Sequence, residues 1–490
     1  MKKAFVFSFI AVFIVGACLR FLFPSDVPFA ADEAFALMLG GDWLASPRLV
    51  LHGMPSSVGL ANPPASVYLF AAVFSLSGGN PELGSQVVMG WNVLGLALAA
   101  AWFYGVARKV GSFWAWWGLA FLCLNPWAVL LSRKIWAQDL LLSFVVVAVW
   151  GISGIWNGKP EESGRWTGWQ WTRIAVGVGC ALLVSQIHMS GVFWLAAMVF
   201  GGVIFWPCLQ RKQIVLLLLL SIGLALVLYA PWFVYFLRND TFSDDMLGRV
   251  SLWKRLHDAV SMQWVLLGQG RSLRYFFAPG EETNQFLTYM GKIWGAGQYV
   301  LIGVLGGAFF AALMQGIRAL RGQTARDILP VLCIALVLFP LLMVVGGIRI
   351  HLHYAAVCLF PAAVVLASGF GAVEQYFSTS EFCSESSAKR RKLSKLPYFK
   401  DSVCFLVRAM ACCVLLLQLW STLGFLFYIH TAGGSKGDHG PCLRVTRETV
   451  SEMLSQGRKQ LSDDAPLEYR YLLDYAQGLP TRLDKHPAPY

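Results

Sequence analysis

The feature that most limits the fold is a succession of apolar runs, each long enough to cross a bilayer. A spanning helix needs roughly 20 apolar residues to cross a hydrocarbon core of about 30 Å. In lipid every backbone polar group must be satisfied internally, so such runs become helices. Eleven runs fall near 4–23, 84–107, 112–131, 140–156, 174–188, 189–207, 213–236, 294–316, 328–347, 353–373 and 402–428. Within 174–207 only Gln186-Ile187-His188-Met189-Ser190-Gly191 breaks the run. Residues 64–77, opened by Pro63-Pro64, are too short to cross and read as an interfacial helix. The expected fold is an all-α, polytopic transmembrane helical bundle of about eleven spans.

Charged residues make up 13% of the 490-residue chain, against roughly 25% in soluble domains. The net charge of +12 does not indicate a nucleic-acid face. The basic residues sit in short clusters between apolar runs: Lys2-Lys3, Arg108-Lys109, Arg211-Lys212, Arg318 with Arg321 and Arg326, and Lys389-Arg390-Arg391-Lys392. With alternating spans all fall on one side, which puts the N-terminus in the cytoplasm of a multi-pass protein of the cytoplasmic (inner) membrane. Cys18-Leu19-Arg20-Phe21 is a poor cleavage site, so the first run reads as a retained helix, not a signal peptide. The eleven cysteines are scattered without paired or metal-ligand spacing.

On this count residues 1–429 form a transmembrane domain and 430–490 a small extracytoplasmic tail with short helices near 446–459 and 466–476. The extracytoplasmic face also receives the first loop (24–63), a tight loop from Ser132 to Asp139, and a long aromatic loop (237–292) carrying Arg249, Arg271 and Arg274. The Ser-rich basic stretch 378–400 is a cytoplasmic connector.

Three polar clusters interrupt this apolar chain. In the first loop, Asp32-Glu33 follows two prolines and opens a short helix. Acids in a first helical turn are favoured by the helix dipole alone. Beside a membrane surface and followed by Asn62-Pro63-Pro64, they also suit catalysis. Arg133, Lys134 and Asp139 flank Trp136. They read equally as a cationic anchor with a helix-start acid, or as phosphate-binding cations with a second acid. Arg349, His351, His353 and Tyr354 gather donors at the end of a span, suited to a phosphate or sugar hydroxyls. His188 is polar where polarity is costly and faces either a cavity or a partner helix.

Arg20 closing the first run, then Asp32-Glu33, Asn62-Pro63-Pro64, Ser132-Arg133 with Asp139, and His353-Tyr354 before Pro361 resemble the GT-C superfamily of polytopic glycosyltransferases. The branch it is similar to is that of protein O-mannosyltransferases and aminoarabinose-lipid A transferases, over roughly residues 1–210 and 345–365. Asn62 departs from the His or Lys of many relatives. The resemblance implies cell-envelope glycosylation, moving a hexose or pentose from a polyprenyl-phosphate donor to an extracytoplasmic acceptor with inversion. Such a leaving group needs no strong acid; it needs a base for the acceptor and cations for the developing phosphate charge. Asp32 is the candidate base, Glu33 its support or alternate, and Asp139 an orienting acid. Arg133, Lys134, Arg349, His353, Tyr354 and His188 are candidates for the donor phosphate or sugar. No cofactor and no metal are expected, nor a nucleotide site, since no Gly-rich phosphate loop is present. The acceptor, whether protein, lipid or glycan, is left open.

The competing reading is a transporter or flippase of a lipid-linked sugar. Such proteins place charges near the bilayer midplane on interrupted helices in repeated halves. Here the acids lie in loops on one face, which favours an enzyme. An O-antigen-type ligase uses similar donors, but the acid pair directly after the first run argues against it.

Overall fold

A computed structural model describes residues 3–55, 61–157, 166–204, 210–238, 250–321, 327–378, 397–462 and 464–481. Lys2, Arg249, Arg326 and Lys389-Arg390-Arg391-Lys392 lie outside the described residues, as does most of the connector 378–400. Each of the eleven apolar runs carries a helix, and no β-strand forms among the described residues.

The chain begins with α1 (Lys3–Phe21), α2 (Ala31–Ala45), α3 (Ala65–Ser77), α4 (Pro81–Val110) and α5 (Ser112–Leu124). There follow α6 (Pro126–Leu130), α7 (Leu142–Ile152), α8 (Gly154–Asn157), α9 (Gly168–Ile187), α10 (Met189–Ile204) and α11 (Arg211–Arg238). The long loop after α11 holds α12 (Leu252–Leu266) and α13 (Glu281–Met290). The bundle is completed by α14 (Lys292–Leu320), α15 (Leu329–Val345), α16 (Leu359–Ser378) and a final long helix, Pro397–Ala432. Six described segments are long and apolar enough to cross a membrane: Lys3–Phe21, Pro81–Val110, Arg211–Arg238, Lys292–Ala319, Leu352–Ser378 and Asp401–Ala432. Helices α5, α7, α10 and α15 are apolar but shorter.

The run 112–131 is divided because Pro126 has no N–H to continue α5. The carbonyl of Leu122, four residues before it, would otherwise face apolar surroundings unpaired. Arg20, buried at the end of α1, supplies the missing donor: its Nη2 donates to Leu122 O at 3.3 Å and Ala128 O at 3.1 Å. Its Nη1 donates to Gly16 O at 2.9 Å within its own helix. Asn125 restarts the chain by accepting the N–H groups of Trp127 and Ala128, an ordinary N-cap. Thr422 of the final long helix donates to Leu124 O at 2.7 Å, so a third element ties down the break.

The break at His188 separates α9 from α10. His188 has extended backbone, and its ring Nδ1 takes the N–H of Ser190 at 3.1 Å, as an N-cap acceptor does. Asn62 Oδ1 accepts the N–H of Met189 at 3.2 Å, and Asn62 Nδ2 donates to Met54 O at 3.1 Å. Asn62 therefore couples the first loop to this break. Gly191 is required by crowding: a Cβ there would lie 2.3 Å from Val184 O.

Segment α3 packs along α2 and α4 with six of its residues buried, so one face is covered by protein. It turns into α4 through Gly78 and Gly79, both with positive φ (59° and 77°), a region open to glycine. The tail is not a separate body. Helices Leu443–Ser455 and Leu467–Ala476 dock on the first loop and on the turn into α4, with Leu443 N–H donating to Val27 O at 2.9 Å and Tyr471 Oη donating to Gly79 O at 2.6 Å. Arg447 pairs with Glu82 at the start of α4.

Candidate active site

The acid pair opens α2, and its two members differ in environment. Glu33 is buried, 1% exposed, and its Oε2 accepts the N–H of Ala30 at 2.9 Å, closing the first turn. Asp32 is half-buried. The helix-dipole reading of Glu33 is thus satisfied through one oxygen only. Its second oxygen, Oε1, lies 3.7 Å from Lys134 Nζ, an ion pair reaching from the loop after α1 to the loop between α6 and α7.

The second loop folds back around its own acid. Asp139 Oδ2 accepts the N–H of Lys134 at 3.0 Å, and the Asp139 carbonyl accepts Asn92 Nδ2 of α4 at 2.7 Å. Lys134 Nζ lies 3.8 Å from the Trp136 ring centre, a cation–π contact. The result brings Glu33, Lys134 and Asp139 into one buried charge cluster. Burial pushes the Asp139 carboxyl up to about 8; the N–H and ammonium of Lys134 oppose this and Glu33 adds to it. Glu33 is also raised by burial, against Lys134 and with Asp32. Two carboxyls sharing one ammonium out of water favour one negative charge and one retained proton.

Hydrogen-bonding capacity in these two loops exceeds what the protein meets. Glu33 Oε1, Asp139 Oδ1, Arg133 Nε and Trp136 Nε1 are buried with no hydrogen-bond partner among the described residues. Buried polar groups are nearly always paired, so four such atoms within two touching loops mark a site built for polar groups of something else.

Arg133 points elsewhere. Its Nη2 donates to Leu22 O at 2.6 Å and Phe23 O at 2.8 Å, clamping the exit of α1. Phe23 is held at φ 53°, the one non-glycine residue with positive φ among those described. Arg133 and Lys134 line a narrow cavity together with Asp26, Trp136 and, from the tail, His439. Burial holds the His439 ring down to about 3. Neither Asp26 nor His439 stands out in the sequence, because each is a lone polar residue whose meaning comes from distant packing.

The third predicted cluster joins the second through rings. His353 lies 5.0 Å from Trp136 between ring centres, and Tyr354 lies 5.2 Å from His188. His351 stacks on His353 at 5.3 Å. Arg349 is exposed at the edge of this group. Beyond the segment 350–352 opens a cavity of about 630 Å³ lined by Arg271, Arg274, His257, Tyr275 and Tyr299. Arg271 donates to Tyr299 Oη at 2.5 Å. Arg271 and Arg274 carry the aromatic-basic character read from the long loop, but only folding sets them beside Ile350 and Leu352. Among the described residues no three His, Cys, Asp or Glu side chains converge to hold a metal ion.

These elements define a polytopic helical membrane protein with a buried acid–lysine cluster between two loops at one end of the bundle. No family model and no curated protein matches the sequence. Solved structures do. The chain is similar to ArnT from Cupriavidus metallidurans in the apo state, at 12% identity and TM-score 0.52, covering 95% of this chain and 84% of that one. To the same protein bound to undecaprenyl phosphate the figures are 13%, 0.54, 96% and 85%. It is also similar to the oligosaccharyltransferase AglB from Archaeoglobus fulgidus in complex with an inhibitory peptide and a dolichol-phosphate. There the identity is 15% and the TM-score 0.50, over 98% of this chain and 64% of that one. The chain therefore shares the fold of these solved structures, a polytopic helical bundle as expected from the sequence.

Proposed function

We propose that the chain is a membrane glycosyltransferase that moves a sugar from a polyprenyl-phosphate donor to an acceptor hydroxyl outside the cytoplasmic membrane, with inversion. The observation that carries this reading is the set of unpartnered buried polar atoms on Glu33, Arg133, Trp136 and Asp139, directly beside the half-exposed Asp32. The likeness in fold to a protein solved with undecaprenyl phosphate supports it.

In this mechanism Asp32 takes the proton of the acceptor hydroxyl as its oxygen attacks the anomeric carbon. The bond from that carbon to the phosphate oxygen breaks, and polyprenyl phosphate leaves with its bonding pair. A phosphate leaving group needs charge stabilisation more than a proton, so fixed cations do most of the work. Lys134 and Arg349 are the candidates from the predicted set, with Arg271 and Arg274 of the outer cavity beside them. Glu33 holds Lys134 and closes the helix turn that presents Asp32. Asp139 orients the loop that carries Lys134. His188, His353 and Tyr354 offer hydrogen-bonding groups to the sugar, and Arg133 fixes the end of α1. The cytoplasmic N-terminus and outward-facing site follow from the basic clusters at the opposite loops.

The test is transfer from a radiolabelled polyprenyl-phosphate sugar pool, using membranes with wild type or Asp32→Asn at matched protein levels. Loss of transfer with donor binding kept supports Asp32 as base. Unchanged transfer reduces the acid pair to a helix start and moves the reading to transport of the lipid-linked sugar.

A further inference from the structure

At the other end of α4 lies a second built cavity, of about 520 Å³, between α4, α7 and α9. We propose that it holds an anionic glycerophospholipid of the surrounding bilayer, its phosphate between Lys109 and Arg173 and its acyl chain along α4. The site is separate from the acid–lysine cluster. Asn92, which touches Asp139, and Lys109 are about 25 Å apart by helix rise, close to a hydrocarbon thickness.

The lining changes character along the helix. Its deep end is apolar, with Leu98, Ala101, Val146 and Val147; its mouth carries Lys109 and Arg173. From Leu98 to Lys109 the helix rises about 16 Å, the reach of a long acyl segment. Arg173 is fixed in place: Nε and Nη2 donate to Trp150 O at 2.9 and 2.6 Å, and Nη2 donates to Ser153 Oγ at 2.7 Å. These bonds anchor the guanidinium at the C-terminal end of α7 and leave its Nη1 without a hydrogen bond among the described residues. The guanidinium also lies 4.8 Å from the Trp150 ring centre, and Trp150 stands beside exposed Trp169. Tryptophans and cations at one level are the pattern of a membrane–water boundary. Asp327 is the acid near Lys109, and its Oδ1 already accepts the N–H of Leu329. Lys109 and Arg173 set two cationic side chains at the mouth, the kind of charge a lipid phosphate pairs with. Gly105 gives the groove its width: a Cβ built there meets no atom within 4 Å.

Native mass spectrometry of the purified full-length protein tests this, with phosphatidylglycerol and phosphatidylcholine of identical chains. The expected result is at least fivefold higher occupancy by phosphatidylglycerol. Gly105→Leu, whose Cβ meets no neighbour and whose side chain would enter the groove, and Lys109→Gln should each lower that occupancy at least threefold. Arg173→Gln should lower it too, and if loss of the Trp150 contact unfolds the protein, the other two variants still decide. Equal occupancy by both lipids, or no effect of Gly105→Leu and Lys109→Gln, overturns the proposal. Displacement of the lipid preference by millimolar inorganic phosphate, with Gly105→Leu inert, means a free-anion site and overturns it as well.

Discussion

Lys134 and Glu33 meet across 3.7 Å although about a hundred residues separate them, and this pair joins the loop after α1 to the loop between α6 and α7. The distance is an ion pair without a hydrogen bond, so the ammonium is held by charge and by the face of Trp136 and keeps donors for another partner.

Glu33→Gln tests whether that charge matters apart from the helix turn. A glutamine carbonyl still accepts the N–H of Ala30, so α2 keeps its start, while Lys134 loses its counter-charge. Transfer should fall about ten- to a hundredfold, which is ~1.4–2.7 kcal/mol of barrier. Asp32→Asn should cost more, on the order of 10²–10⁴ in rate, as loss of a general base does. Initial rates in membranes at equal protein level measure both. A larger loss for Glu33→Gln, with the fold intact, would exchange the two roles.

The proton held by Asp139 predicts the pH response of stability. The folded carboxyl titrates near 8 against 3.8 for the free group, so between these values the folded state binds more protons than the unfolded. Stability from this group is complete below about pH 4 and is lost as pH rises toward 8. Wild type should lose melting temperature between pH 6 and pH 9. Asp139→Asn, which cannot ionise, should lose less over the same interval. Parallel curves for the two proteins would mean that Asp139 is ionised throughout.

Much of this could be read along the chain because membranes impose simple rules. Run length gave the positions of the helices, and His188 stood out because a polar side chain interrupts an apolar run. Shorter apolar helices were harder to bound, since Pro126 ends α5 inside a run that is continuous in hydropathy. The acid pair was legible as a pair, but not the division of labour within it. Burial of Glu33 and partial exposure of Asp32 depend on Lys134 arriving from another loop. Arg133 shows the same limit. Its neighbour Lys134 joins the acids while Arg133 turns to the carbonyls of Leu22 and Phe23, a choice no spacing reveals.

Arg20 should prove structural. Arg20→Met keeps much of the apolar stem but leaves Leu122 O and Ala128 O without their donor beside the Pro126 break. Hydrogen bonds to charged groups contribute about 1.5–3 kcal/mol, and stranded carbonyls cost more than the bond alone. A loss on the order of 3 kcal/mol in unfolding free energy is expected in detergent. Arg20→Lys should recover only part, because one ammonium cannot reproduce the planar fork. Full recovery by lysine would show that charge, not geometry, is what the break requires.

The tail should control the site through Asp26. Asp26 is buried, with Oδ2 2.6 Å from His430 Nδ1 and Oδ1 accepting Arg444 Nε at 2.7 Å. His430 stacks on Phe23 at 4.0 Å, and the Phe23 carbonyl is one that Arg133 holds. A chain of contacts therefore runs from the tail to Arg133 and on to the cavity it shares with Lys134. Asp26→Asn weakens both charge-assisted bonds at once, a loss on the order of 2 kcal/mol. Limited proteolysis between the final long helix and the tail should quicken several-fold, and sugar transfer should fall although Asp26 touches no reacting atom. Arg444→Gln, which removes one of the two partners and leaves His430 in place, should show the same two effects at smaller size. Faster proteolysis with unchanged transfer would mean that the tail stabilises the loop without ordering the site.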